Sequence, residues 1–458
     1  GRTWILLLCL ILFFGFSFYS TEQRLDRKTE SVNQMLEAQH EKFAKQKLVA
    51  DSIRQGFKEV GGWWQDPNNP IMAGGDWKGG RVVIAPPQPN NRLSVGARDI
   101  QPDAWELRIL NKFPRGDAEF ENPANLSFGT FDLAFVVAFL LPLLVIALSF
   151  DLISAERELG TLPLLRSQPV VGVRLFFAKA LTRFTLLALI NLLVLVPFLI
   201  WSGIAPWSGV GLATILLVLG SLLLWFLIAL GINLQGGNSA ANALKCIGAW
   251  VVVCLLLPSV VNTMTEKLSP VPSRSAYINT ERATEIQLEQ GREDKLTSFY
   301  RTHPNYRQAD EEEAGYRYRY GVEFALNTQE EAFRDSVNSI FEQRVAAQAQ
   351  LSKRLLWLSP TLSIYTQLSA LAGTDKDAGK ARETAADALQ KRWSERFITL
   401  FWEDKTLSAA DFEAIEAFPD TIGLASFRPS YRGLSFLLLQ CLIAGLWCYG
   451  VARNNIFR

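Results

Sequence analysis

The sequence predicts a polytopic α-helical membrane protein with six transmembrane helices and two large, mainly helical insertions. Three observations predict it. Six apolar stretches, near 4–20, 131–150, 175–201, 212–232, 241–262 and 433–452, are each long enough to cross or nearly cross a hydrocarbon core as a helix. Between them lie two long charged regions, 21–130 and 263–432, with no such stretch. The overall balance, 49% hydrophobic against 20% charged, is that of a mosaic of membrane helices and soluble regions.

The first stretch, Trp4 to Tyr19, follows Arg2 and reads as a first membrane helix over 1–20. Its length also suits a signal peptide, but no Ala-x-Ala cleavage pattern accompanies Ser17 and Ser20. The chain starts at Gly1 rather than Met, so further residues before it are expected. Residues 21–60 are charged and helix-friendly, without Pro and without Gly until Gly56. Leu25, Thr29, Val32, Leu36, Gln39, Phe43, Gln46, Ala50, Ile53, Phe57 and Val60 alternate spacings of four and three, a coiled-coil-like seam. Such a helix rises roughly 50–60 Å. It serves either as a stalk touching a partner or as a helix packed on its own soluble domain.

From Gly61 to Asn91 the chain turns to loops, punctuated by paired glycines and Pro86-Pro87-Gln88-Pro89. One short strand is expected at 81–85. Trp63, Trp64 and Trp77 suit a small core, a ligand pocket or a membrane interface. Residues 92–128 return the chain to the membrane.

The second apolar stretch, 131–150, turns abruptly charged at Glu156, Arg157 and Glu158 and breaks at Gly160. Thr161 suits an N-cap and Pro163 the first turn of a short amphipathic helix, which Leu162, Leu164 and Leu165 make apolar on one side. Arg166 to Gln168 are polar, and Pro169 discourages continuation. A spanning helix thus leaves the membrane and hands over, through a glycine hinge, to a surface helix. Trp201, Pro206 and Trp207 read as an interfacial belt before the fourth stretch. The region 263–432 reads as a second large soluble domain, with acidic runs and the alternating Tyr316–Tyr320 segment. The sixth stretch ends in a short basic tail. Arg157, Arg166, Arg174, Lys179, Lys245, Arg453 and Arg458 all fall on one side of six spans, while the short loop 203–211 has no Lys or Arg. The positive-inside rule makes that side cytoplasmic.

Pro142-Leu143-Leu144, Glu156-Arg157-Glu158-Leu159-Gly160-Thr161 and Leu164-Leu165 followed by Pro169 resemble the permease subunits of ABC-2 type exporters. LSVGARDIQP (93–102), Asn122-Pro123, FGTFD (128–132), His303-Pro304, LSP (358–360) and LAGT (371–374) are similar to the DUF3526 branch of those permeases. The resemblance implies a bacterial inner membrane protein with cytoplasmic termini. Its large domains, 21–130 and 263–432, would be periplasmic. The spans in 131–262 would be of ABC-2 exporter type, with 151–169 as a coupling segment and 433–458 as the last span and tail. It also implies cytoplasmic ABC ATPase subunits carrying ATP and Mg, and a second permease, identical or a sister. Glu156, Arg157, Glu158, Gly160, Thr161, Leu164, Leu165 and Arg166 are the residues it assigns to coupling.

The residues themselves are silent on catalysis. The nearest approach to a phosphate-binding loop, Gly373 to Lys380, has one residue too many between its glycines and ends in Ala381 rather than Ser or Thr. No Asp, Glu, Lys or Arg lies in the middle of a span, where insertion of a charge costs about 2.5–3.5 kcal/mol. A proton-coupled carrier ordinarily keeps one. Energy is therefore expected from another polypeptide, with no enzyme and no cofactor in this chain. The five cysteines all lie in or beside apolar spans, and His40 and His303 stand far apart, so no metal site is expected. A net charge of +1 predicts no nucleic-acid partner. The lipid bilayer and periplasmic proteins complete the expected contacts. An alternative from another class is a transmembrane signalling or assembly scaffold whose outer domains bind proteins without moving cargo.

Overall fold

The computed structural model describes residues 2–75, 80–110, 131–161, 172–271, 274–304, 315–423 and 432–456. The protein is mostly helical, and six helices are long and apolar enough to cross a membrane: they lie within Trp4–Arg54, Leu133–Glu158, Ala178–Trp201, Gly209–Leu234, Ser239–Leu268 and Arg432–Asn454. Numbered one to six, they pack as a bundle around a shared apolar core. A soluble domain stands on one end of it, here the domain end; the charged turn after span two lies at the far end.

The first helix is unbroken from Arg2 to Arg54. Its lower part buries Leu6, Leu10 and Phe14 in the bundle. Above the membrane stretch, the seam residues from Leu25 to Ile53 are buried or half-buried, while most of their neighbours face solvent. The seam packs on the chain's own soluble domain: Gln39 donates to Asp420 at 2.8 Å, and Ala50 and Phe43 meet its core. The helix stops short of the expected residue 60 because Gly56 adopts φ 74°, a left-handed value that ends helices at little cost only for glycine. Phe57, expected in the seam, is instead exposed.

Span four, Gly209–Leu234, is the most buried of the six. Ser208 caps it by accepting the Gly211 N–H at 3.0 Å. Span six lies against it so closely that a Cβ on Gly220 would come within 2.6 Å of Leu437 and one on Gly231 within 2.1 Å of Trp447. Small residues allow that approach.

The soluble domain is one body built from both insertions, rather than two separate ones. Strand β1, Arg81–Ile84, falls where a strand is expected; β2, Ala104–Leu107, pairs with it antiparallel, Arg81 opposite Leu107. The other edge of β1 bonds to the distant segment 420–422: Ile84 N donates to Asp420 O at 2.9 Å and Ile422 N to Ile84 O at 2.8 Å. Val83, Trp105, Leu107 and Ile109 share a core with Phe324, Trp393, Phe397, Phe401 and Phe412. Trp63 stacks on Tyr316 at 4.5 Å within this assembly; Trp77 lies outside the described residues. Tyr320 is buried and Arg317 bonds the Phe401 carbonyl at 2.8 Å, so the basic-aromatic run is a half-buried structural element.

One piece of the second insertion belongs to the membrane bundle. The helix Pro360–Ala372, capped by Ser359 at its start and by Gly373 at φ 69° at its end, sends Ile364, Leu368, Leu371 and Ala372 into the bundle core. It packs against spans two, four and six. Its even spread of apolar and hydroxyl residues suits burial on several sides.

Candidate functional site

At the far end, span two finishes at Ser149, turns through Phe150–Ile153 and restarts as the short helix Ser154–Glu158. Gly160, at φ 70°, ends it. The Gly160 N–H bonds Arg157 O at 3.2 Å and the Thr161 N–H bonds Glu156 O at 3.0 Å. Thr161 also reaches the Glu156 carboxylate through its hydroxyl. Among the described residues, then, Thr161 closes the helix behind it; the helix it was expected to cap, from 162 on, lies outside them. Leu164, Leu165 and Arg166 lie outside the described residues.

Each charged residue of the turn holds a different neighbour. Glu156 accepts from Lys179 of span three at 2.5 Å. Arg157 donates to Gly237 O at 3.3 Å in the loop between spans four and five. Glu158 accepts the Ser239 N–H at 2.6 Å and the Ser239 hydroxyl at 2.9 Å, where the exposed N–H groups of span five favour a negative charge. Just inside, the largely buried Asp151 pairs with Arg183 of span three at 3.2 Å.

Behind the turn sits Asn233, at the end of span four and 2% exposed. Its amide donates to Ser149 O at 3.0 Å and Ala229 O at 2.9 Å, and its oxygen accepts from Ile153 N at 3.4 Å. Ser154 and Ser239 hydroxyls meet at 2.8 Å. The fold thus ties Glu156 to span three, Arg157 to the loop between spans four and five and Glu158 to span five, while Thr161 is held to Glu156. At its tip Leu159 is 75% exposed, and a Cβ on Gly160 would meet nothing within 4 Å. Asp151, Lys179, Arg183, Asn233 and Ser239 complete the site. Their signal in the sequence was a basic pair spaced four apart at the start of span three and single polar residues at span ends.

The domain end has its own junction. Asp132 is fully buried and caps span two by accepting the Phe135 N–H at 2.8 Å. It also accepts from the Val95 N–H at 2.9 Å and the Ser94 hydroxyl at 3.0 Å, and Ser94 meets the Ser369 hydroxyl at 3.0 Å. The segments 93–102 and 371–374 come together here. Asn91 donates to Ala372 O at 2.6 Å and Ala97 N to Thr374 O at 2.8 Å. Gly96 has φ 53° and lies so close that a Cβ would stand 2.8 Å from Thr374 O.

Two buried arginines brace this junction. Arg98 bonds Asn91, Ala85 O and Asp103. Arg382 bonds Gly373 O at 2.9 Å and Gln101 at 2.6 Å. Burial, then the nearby Arg98 charge, lowers the Arg382 pKa to about 10. The first helix joins through Lys28 and Asp103 at 2.9 Å, and through the ion pairs Arg24–Asp99 and Arg92–Glu22.

A family model described as a domain of unknown function, DUF3526, matches residues 274–419. That range holds the Pro360–Ala372 helix, 371–374 and much of the soluble core; the 93–102 segment, Asp132 and the 151–161 turn lie before it. No curated protein and no solved structure matches the chain.

Proposed function

We propose that this chain is the membrane-spanning subunit of an ATP-driven exporter of the ABC-2 type, in the bacterial inner membrane. ATP and Mg would be bound by a separate cytoplasmic ATPase, and a second permease would complete the assembly. The observation that carries the reading is the far-end turn. Its charged side chains are committed to span three, to the loop between spans four and five and to span five, and Asn233 of span four holds its backbone, so a push on its exposed tip, Leu159-Gly160, moves several spans at once. By the positive-inside rule this end is cytoplasmic and the soluble domain periplasmic.

The test is co-purification with a co-expressed ATPase and its hydrolysis rate in lipid, with and without this chain. Glu156→Ala cuts the tie to Lys179, and Gly160→Pro is incompatible with φ 70°. Both variants are expected to assemble but to lose the dependence of hydrolysis on this chain. Wild-type behaviour in both, or no co-purifying ATPase, overturns the reading.

A signalling or assembly scaffold is favoured by a different observation. The 53-residue first helix, a rod of roughly 80 Å, runs unbroken from the bundle into the soluble domain. Nucleotide-driven movement of that domain without flux of any cargo would select this second reading.

A further inference from the structure

The heptapeptide V-V-x-x-L-L-P occurs twice, at 136–142 and 252–258. Each copy folds alike. Val136–Leu140 and Val252–Leu256 are π-helical turns, and in each the proline follows two residues after the turn. A π turn bonds each carbonyl to the N–H five residues on. Leu141 N accordingly bonds Val136 O, and Leu257 N bonds Val252 O. The next carbonyls, those of Val137 and Val253, would turn to Pro142 and Pro258, which have no N–H to give.

Both carbonyls are met by hydroxyls from other elements. Ser221 of span four reaches Val137 O at 3.5 Å. Thr361 of the Pro360–Ala372 helix reaches Val253 O at 3.3 Å and stands 3.4 Å from Cys254 Sγ. The two turns also touch each other. The Cys254 thiol points at Ala138 O, 3.7 Å away, and the Trp250 indole donates to Phe139 O at 3.0 Å. Three consecutive carbonyls of span two are therefore held by side chains, and the Pro360–Ala372 helix packs on both turns.

A π turn carries one residue more than an α-helical path needs, and one residue is about 100° of rotation. Moving or removing it swivels the segment beyond it. We propose that the two heptapeptides form a paired swivel between the domain end and the far end of the bundle, and that Thr361 is the clamp that sets it. When Thr361 leaves Val253, both turns rearrange together, because Cys254 and Trp250 tie one to the other. The swivel does not depend on what drives it.

The test uses the full chain alone in lipid nanodiscs. Thr361→Cys places a thiol beside the native Cys254, and oxidation with copper phenanthroline joins them. Hydrogen exchange is then read at 136–140 and at 252–256. The disulfide takes the Cys254 thiol hydrogen from Ala138 O and leaves Trp250 to carry the link, through which exchange is expected to slow in both turns on oxidation and to return on reduction. Thr361→Val, which keeps the shape and loses the hydroxyl, should speed both by roughly 2- to 13-fold, the effect of one net hydrogen bond. A change confined to 252–256, with 136–140 unmoved, overturns the paired swivel. If the disulfide does not form, Thr361→Val decides by the same two outcomes. With no ATPase in the sample, failure here leaves the transporter reading untouched, and failure of that reading leaves this one standing.

Discussion

Glu158 accepts the backbone N–H of Ser239 at 2.6 Å, so the charged turn after span two supplies an acceptor at the start of span five. Two segments 81 residues apart in sequence are joined by a carboxylate at a helix N-terminus. That placement makes the turn part of the bundle rather than a loop hung from it.

Glu158→Ala should therefore loosen the start of span five. Asn238 remains the N-cap residue, and an exposed negative charge lost from a helix N-terminus costs about 0.3–1 kcal/mol. Thermal unfolding of the purified protein should fall measurably for the alanine variant and less for Glu158→Asp. Equal unfolding temperatures for all three would show that the Ser239 contact contributes nothing to stability.

Asp132→Ala should be more damaging. It removes the acceptor of the Phe135 and Val95 N–H groups and of the Ser94 hydroxyl. Each buried donor left without a partner costs about 1–3 kcal/mol. Asp132→Asn keeps an oxygen for the cap and should lie between alanine and the native residue. Limited proteolysis of the soluble domain, whose 93–95 segment this residue anchors, is the readout.

Gly96→Ala should fail for backbone reasons. At φ 53° an L side chain is strained by about 1–2 kcal/mol, and the added Cβ would also press on Thr374 O. The junction of 93–102 with 371–374 should open, seen as faster hydrogen exchange at Ala97. Gly373→Ala has a similar φ but nothing within 4 Å of its Cβ, and should cost less.

Asp375, which caps the Lys376–Trp402 helix through Ala378 N at 3.0 Å, has its pKa raised, chiefly by burial. Its folded pKa thus lies above its unfolded one, so the folded state binds the proton first. Stability from this group rises as pH falls from neutral through the carboxylate range. Asp375→Asn removes that dependence. Relative to the native protein, the variant should look best near pH 7 and lose its advantage as the pH falls toward 4, in denaturant titrations of the purified chain.

Much of this was legible in the residues. Long apolar runs mark all six spans because crossing hydrocarbon demands a local, continuous property. Gly160 read as a break and is one, since only glycine adopts its φ cheaply. The strand at 81–84 announced itself as a short apolar run between loop signals. What stayed hidden was partnership. The seam of the first helix predicted a buried face, but a stalk and a packed helix share the same spacing. Asp420 became its neighbour only through contacts some 380 residues apart. The Pro360–Ala372 helix reads as one more amphipathic piece of a soluble region. Its burial in the bundle depends on where spans two, four and six stand.

The sequence by itself determined which segments are long and apolar enough to cross a membrane, where the chain must turn, and that Pro142 and Pro258 each withhold a backbone donor. These are properties of neighbours along the chain. The tertiary structure alone decided that both insertions fold around one core and that Thr361 and Ser221 supply the missing donors. It also set Glu156 and Glu158 against spans three and five and Arg157 against the loop between spans four and five. The physical reason is that an unmet hydrogen-bonding group or a buried charge specifies that a partner must exist, while only packing in three dimensions selects which residue it is.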